Sequence, residues 1–525
     1  MSIVSAPTST AHFTVPIRRD DLLRKWLPLV VILGLAVVVR HFVVANTDVS
    51  WDITLSEKIL DGQRLYIDLI EVNPPATVFL YLPAVALARA LGWAPEIVVD
   101  ALVFLGALVS LGISSDILRR YRSLDNLNGW SAAFFTLAVL TILPAQTFGE
   151  REHIALIAVL PALAVLAARA KRAKPLLWHC LVAGAGAGVT ICIKPHFALA
   201  LVLAAAAAAH YSRSWRTLLV MENWMAVAIA ALYGICVVIF CRAFITDVMP
   251  EVVDVYLPVR LSLVDSLISM PVILWTGAIL VVLGLSRGTG GNAVRLVLLM
   301  ASAGFAAAFV IQGKGWGYQS YPMLALVLIA LDLTAAFRRR AAEQAGERGG
   351  FISICAIVAL YVILYVIAAW SFAWFNVAVD TRAAAALVRR VAPPHPSIVV
   401  ISDDGALGHP LVRMVGGRWI SSSMGLWVTL DATALRIGGG LDEATDRRLA
   451  TYLEAERQRL IGEIRDGKPD IIILDQRPDR IAVDGHGASW SEWVKADRDL
   501  SALAAANYRE AGSADGLAVL KRNGT

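Results

Sequence analysis

Long apolar runs separated by short polar loops fill the chain up to residue 375, and the pattern changes abruptly just beyond. Runs that read as membrane spans, sized to a hydrocarbon core about 30 Å thick, lie near 26–44, 97–118, 129–148, 153–169, 176–193, 197–211, 224–245, 267–285, 293–311, 321–337 and 351–375. A further run, 76–92, is shorter and follows the Pro74-Pro75 pair. Residues 380–525 hold no spanning run and are rich in Arg, Asp and Glu. Within them, 397–402 and 469–475 read as short buried strands, 443–466 as a charged amphipathic helix and 517–521 as a last strand.

Basic residues orient the spans. They cluster before the first run (Arg18, Arg19, Arg24, Lys25), at Arg119, Arg120 and Arg122, over Arg169–Lys174, at Arg213 with Arg216, at Arg287 with Arg295, and over Arg338–Arg340. Loops rich in Lys and Arg stay cytoplasmic. All six clusters agree if 76–92 dips into the membrane or lies along its interface; a full crossing would invert every later loop. The pattern therefore predicts an α-helical polytopic membrane protein of about eleven spans with its N-terminus inside. Residues 1–379 form the membrane module and 380–525 a C-terminal extracytoplasmic α/β domain.

This parity places five polar stretches on one outer face: the first outer loop 45–76, 149–153, 194–196, 247–262 and 312–322. Inner loops carry little beyond basic residues, whereas outer loops carry acids, lysines, histidines and aromatics. One end of the bundle reads as topology signal and the other as a candidate site.

Composition narrows the class. At 58% hydrophobic and 17% charged residues a wholly soluble chain is excluded, and a net charge of +5 over 525 residues indicates no nucleic-acid partner. All five cysteines lie in apolar runs, which indicates neither a disulfide framework nor a cysteine zinc site. No small-residue cleavage site follows the first run, so it reads as a retained helix.

Five groups carry candidate chemistry. Asp48 and Asp52 stand one helical turn apart, as a general base with a helper or as two solvated acids at a helix start. Glu150, Arg151, Glu152 and His153 interrupt an almost continuous apolar stretch, where they must face water, a cavity or each other. Lys194, followed by Pro195 and His196, divides residues 176–210 into two short spans and suits a lipid-linked phosphate, or else snorkels. In 247–262, Arg260 offers a guanidinium beside Glu251, Asp254 and Tyr256. In 312-QGKGWGY-318, Lys314 sits among glycines that admit a phosphate or sugar, with Trp316 and Tyr318 able to stack on a ring. Gly438–Gly440 lack a phosphate-loop context and read as a flexible turn, and no serine-hydrolase elbow or zinc-protease helix is present.

In their order and shared sidedness these residues resemble the GT-C fold glycosyltransferases. They are most similar to the family 39 group that contains the aminoarabinose–lipid A and protein O-mannosyl transferases. The carrying residues are Asp48, the helix ending in Leu60-Asp61-Gly62, Pro74-Pro75, the cluster Glu150 to His153, Lys194, and Lys314 with Tyr318, Tyr321 and Pro322. The resemblance implies transfer of a sugar, with inversion, from a polyprenyl-phosphate donor to a lipid, glycan or protein acceptor on the periplasmic face of a bacterial inner membrane. Asp48 would take the acceptor proton, and Lys194, Arg260 and Lys314 would stabilise the leaving phosphate. A divalent metal is compatible with it, although Asp254 and Tyr256 stand where the aminoarabinose transferase has a metal-binding histidine. The alternatives are a transporter or flippase of a lipid-linked or anionic substrate and a polysaccharide-binding assembly protein.

Overall fold

The computed structural model describes residues 19–124, 127, 129–286, 293–345, 350–483 and 485–524. Arg18 and Arg287, two of the residues used for orientation, lie outside them. The apolar runs form helices. After α1 (Arg19–Phe42) the chain turns by 80° into α2 (Thr47–Leu60), whose N-cap Asn46 accepts the Val49 amide at 3.1 Å. Next come α3 (Ala76–Phe79) and α4 (Leu82–Leu91). Together α3 and α4 make one shorter apolar stretch, Ala76–Leu91. At the start of α4 Tyr81 donates to the Gly149 carbonyl (2.7 Å), and near its end Arg89 pairs with Asp61 (3.0 Å).

The bundle continues through α5 (Pro95–Arg120), α6 (Gly129–Thr141), α7 (Arg151–Ala170), α8 (Leu177–Ile193), α9 (Ala198–Ser212) and α10 (Met221–Phe240). It closes with α11 (Met249–Glu251), α12 (Leu263–Leu267), α13 (Met270–Leu285), α14 (Ala293–Gln312), α15 (Tyr321–Ala345) and α16 (Gly350–Phe375). Among the described residues seven helices are long and apolar enough to cross a membrane, or eight if the bent α1–α2 pair is counted as one span. The chain is a helical, multi-span membrane protein. α7 and α15 are the buried centre of the bundle, while α10 and α16 turn most of their apolar surface outward. Small residues let the helices approach closely: a Cβ on Gly186 of α8 would lie 2.1 Å from the Ala158 carbonyl of α7, and one on Gly304 of α14 would lie 2.4 Å from the backbone of Ala200 in α9.

The basic loops meet at one end, where Lys171 donates to the Arg122 carbonyl (2.9 Å), Arg172 to that of Ser212 (2.9 Å) and Arg338 to that of Leu285 (2.6 Å). At the other end the stretch 247–262, expected as a loop, is helical through Tyr256, including α11. Pro250 lies inside this run, with a π-helical turn on each side of it.

The C-terminal region begins with α17 (Arg382–Val391), β1 (Ser397–Ile401), α18 (Leu411–Met414), β2 (Arg418–Trp419), α19 (Trp427–Gly438), α20 (Glu443–Gly467) and β3 (Ile471–Asp475). The hairpin β4 (Ile481–Val483) and β5 (His486–Ala488), then α21 (Trp490–Ala496), α22 (Arg498–Asn507), β6 (Tyr508–Ala514) and β7 (Leu517–Arg522) complete it. The main sheet runs β2-β1-β3-β7-β6, with β1 parallel to β2 and β3, and β7 antiparallel to β3 and β6. β1 and β3 are buried along their whole length, hence their unbroken apolar sequences.

This sheet shares its core with the first outer loop. Trp51, Leu55 and Leu69 pack in one cluster with Ile398, Trp419 and Val519. Polar contacts tighten the joint: Lys58 donates to the Ser421 carbonyl (2.7 Å) and the Ile70 amide to that of Ser422 (2.8 Å). Arg413 is the main latch. Its guanidinium grips Glu57 at 2.6 and 3.1 Å and also bonds Glu96 at the start of α5. Arg413→Ala should lower the stability of the purified protein by about 1–2 kcal/mol, since both glutamates remain partly solvated without it. A melting curve in detergent reads this, and an unchanged midpoint would show that the apolar joint suffices.

Candidate active site

A cavity of about 900 Å³ opens where the outer loop, the start of α7, the loops before α12 and α15, and the C-terminal sheet meet. Asp48 enters it from the first turn of α2. Its Oδ2 accepts from Arg151 at 2.6 Å, while Oδ1 has no partner among the described residues. Asp52, one turn further, is only 1% exposed and its Oδ2 is unpartnered. Burial pushes this carboxyl well above the ordinary carboxylate range; Arg151 pulls it down, and Glu71, Glu150 and Asp48 push it up again. The neutral acid is favoured, a potential hydrogen-bond donor beside a paired carboxylate.

Cations come from the facing loops. Lys314 donates to the carbonyls of Tyr256 (2.6 Å) and Val259 (2.5 Å), with its ammonium 3.7 Å from the Tyr256 ring centre. An ammonium has three N–H groups, so one is left for a ligand. Burial lowers the lysine's proton affinity, Asp431 restores some of it, and Arg260 lowers it further. Gly313, at φ +63°, lets the chain pass under Arg260, whose Cβ would lie 3.3 Å from a Cβ placed there. Arg260 is exposed and has no acceptor among the described residues.

Of the residues singled out from sequence, Asp48, Asp52, Arg151, Tyr256, Arg260, Lys314, Trp316 and Tyr318 line the cavity. Glu150, Glu152 and Lys194 stand behind it. Glu150 pairs with Arg151 (3.1 Å), and Lys194 donates to Glu152 (2.5 Å) and Gln312 (2.9 Å), 5.6 Å from the Tyr318 ring. The two histidines face elsewhere. His153 accepts the Gly149 amide on Nδ1 (3.0 Å) and its Nε2 meets the Leu140 carbonyl (2.7 Å), the arrangement of an Nε2–H tautomer. His196 lies edge-on to Phe197.

Other cavity residues escaped the sequence reading. Glu71 accepts from the Trp51 indole (2.6 Å) and from both nitrogens of Asn73 (2.9 and 2.6 Å). Its position just before Pro74-Pro75 was the available signal. From the C-terminal sheet, Asp403 and Asp404 end β1 at the carboxyl edge of its parallel strands, where α/β folds place ligands. Asp403 accepts from Trp490 (2.8 Å) and Arg480 (2.9 Å), and Asp404 from Arg477 (3.0 Å). Asp431 of α19 has no hydrogen-bond or ion-pair partner among the described residues; burial pushes its carboxyl up to about 6, Lys314 lowers it and Asp403 raises it. No signal in the sequence marked it.

These acids do not fit a metal ion: Asp48, Glu71, Asp403 and Asp404 already accept from arginine, indole or amide donors. No group of three or more His, Cys, Asp or Glu side chains able to hold one occurs among the described residues.

A helical bundle with a cavity at one end, roofed by a mixed sheet, has a counterpart among solved structures. The solved structure that shows it is ArnT from Cupriavidus metallidurans bound to undecaprenyl phosphate, matched with a TM-score of 0.51 at 14% identity over 94% of this chain and 98% of that one. The apo structure of the same protein matches with a TM-score of 0.48 at 14% identity, over 94% of this chain and 97% of that one. No family model matches the chain, and no curated protein matches it.

The buried acid of α2 yields a prediction. A carboxyl that holds its proton more tightly folded than unfolded weakens the fold as pH rises from the ordinary carboxylate range toward its own higher value. Asp52→Asn removes this penalty, about 1.4 kcal/mol for each unit of separation. The variant should melt higher than wild type at pH 8 and about equally at pH 4. A wild-type melting temperature independent of pH, and equal to that of the variant, would contradict the neutral acid.

Proposed function

We propose that the chain is an integral membrane glycosyltransferase that moves a sugar from a polyprenyl-phosphate donor to a lipid, glycan or protein acceptor at the extracytoplasmic face. The observation that carries this reading is the meeting, in one cavity at the membrane boundary, of a carboxylate with a free oxygen and two cations with unused donors. The likeness to ArnT, whose solved form holds undecaprenyl phosphate, supports it.

Counting α1, α6, α8 and α13 with the seven longer helices gives eleven spans. With the basic end in the cytoplasm, the cavity and residues 380–525 face the periplasm of a bacterial inner membrane. Residues 1–379 form the transferase module and the rest its roof. Asp48 Oδ1 takes the proton from the acceptor nucleophile as it bonds to the anomeric carbon. The bond from that carbon to the phosphate oxygen breaks, and its electron pair leaves with the polyprenyl phosphate. Lys314 and Arg260 stabilise the negative charge on that oxygen. Arg151 holds Asp48 in place, and Asp52, as a neutral acid, donates to the acceptor. Lys194 and Glu152 support Arg151 and Tyr318 from behind, without touching substrate.

Asp48→Asn should cut transfer by about 10²-fold or more while leaving the affinity for undecaprenyl phosphate within a factor of about two. Release of free polyprenyl phosphate from a lipid-linked sugar pool is the assay. Full activity in the variant would remove Asp48 as the base. Absence of transfer by wild type across a panel of lipid-linked sugars would point to transport or assembly instead.

A further inference from the structure

The cavity has a second half that the phosphate and the proton do not use. α19 places Trp427 and Asp431 four residues apart, on one face of the helix, and both line the cavity. Across the seam stand Tyr256 and Trp316 of the membrane module. The Tyr256 ring lies 6.0 Å from Trp427, edge to face, and 6.4 Å from Trp316. Trp316 is 43% exposed although it lines a cavity, so much of its indole faces open space. Of the three acids that the C-terminal sheet and α19 bring to the cavity, Asp403 and Asp404 are held by arginines, whereas Asp431 keeps both oxygens free of hydrogen bonds and ion pairs among the described residues.

Aromatic faces attract the C–H face of a sugar ring, and a carboxylate accepts hydrogen bonds from neighbouring hydroxyls; the same carboxylate repels a phosphate. We propose that Trp316, Trp427 and Asp431 form a pyranose subsite on the roof side of the cavity, selective for a neutral, hydroxyl-rich ring. The subsite rests on the glycosyltransferase reading and refines it: the ring belongs either to the transferred sugar or to a glycan acceptor. It also gives the C-terminal region a role in specificity.

The test uses full-length wild type, Trp427→Ala, Trp427→Phe and Asp431→Asn in lipid nanodiscs, each first shown to melt like wild type. Three probes are titrated: undecaprenyl phosphate, mannose carried on undecaprenyl phosphate, and neutral methyl pyranosides of gluco, galacto and manno configuration. Loss of a hydrogen bond to a charged acceptor corresponds to about tenfold in affinity or more. Trp427→Ala and Asp431→Asn should therefore weaken at least one sugar-bearing probe by about tenfold, with Trp427→Phe recovering most of the loss. Weakening confined to the lipid-linked mannose assigns the ring to the donor, and weakening of the pyranosides assigns it to the acceptor. Equal affinity of wild type and both variants for every sugar-bearing probe, or no sugar binding at all, overturns the subsite. Wild type that binds pyranosides through Trp427 and Asp431 but never binds undecaprenyl phosphate upholds the subsite and overturns the donor assignment beneath it.

Discussion

α2 has no free face, and the rest of the architecture follows from that. Val49 and Ile53 pack into the core of the helical bundle, while Trp51 and Leu55 pack into the core of the C-terminal sheet. Asp48 and Asp52 occupy the sector between them, toward the cavity. Each of the four apolar side chains gains about 1.5–3 kcal/mol from leaving water. Together they fix the rotation of the helix about its axis. A slip of one position would turn an aspartate into one of the cores, where an unpaired charge is far more costly. The position of the carboxylates is thus set by apolar packing on both sides of them.

Behind the cavity lies a charge network that could not stand in isolation. Asp48, Arg151 and Glu150 form one chain, and Glu152, Lys194 and Gln312 another, joined through consecutive residues at the start of α7. Most of these groups are buried, and Arg151 Nε, Glu150 Oε2 and Glu152 Oε2 have no hydrogen-bond partner among the described residues. Buried pairs contribute little net stability against apolar replacements, but removing one member strands the others. The network therefore holds geometry more than it adds stability, which suits a wall that must keep Arg151 against Asp48.

What the sequence reveals follows burial. β1 and β3 are covered on both faces and show as Ile-Val-Val-Ile and Ile-Ile-Ile-Leu, whereas β2 is two residues long and β6 lies at the sheet edge with only Tyr508 buried, so neither has a pattern to read. The spans are legible because lipid demands apolar length. Asp48, Arg260 and Lys314 could be grouped because charges at one end of a bundle share a side. Asp431 could not, since its proximity to Lys314 comes from the docking of α19 and leaves no periodic trace. Nor does sequence separate a histidine that faces a cavity from one that, like His153, satisfies a carbonyl thirteen residues earlier.

The core shared between the outer loop and the sheet also orders events in time. Trp51 and Leu55 are made long before Leu517 and Val519, which complete the same cluster. Contacts so distant along the chain form late, because the intervening loop must first be closed. Until then α2 can bury only its bundle-facing side, and the wall that carries Asp403 and Asp431 is missing. The cavity acquires its shape only once the C-terminal sheet and α19 have docked, so a chain still short of them presents its aspartates to water without a roof over them.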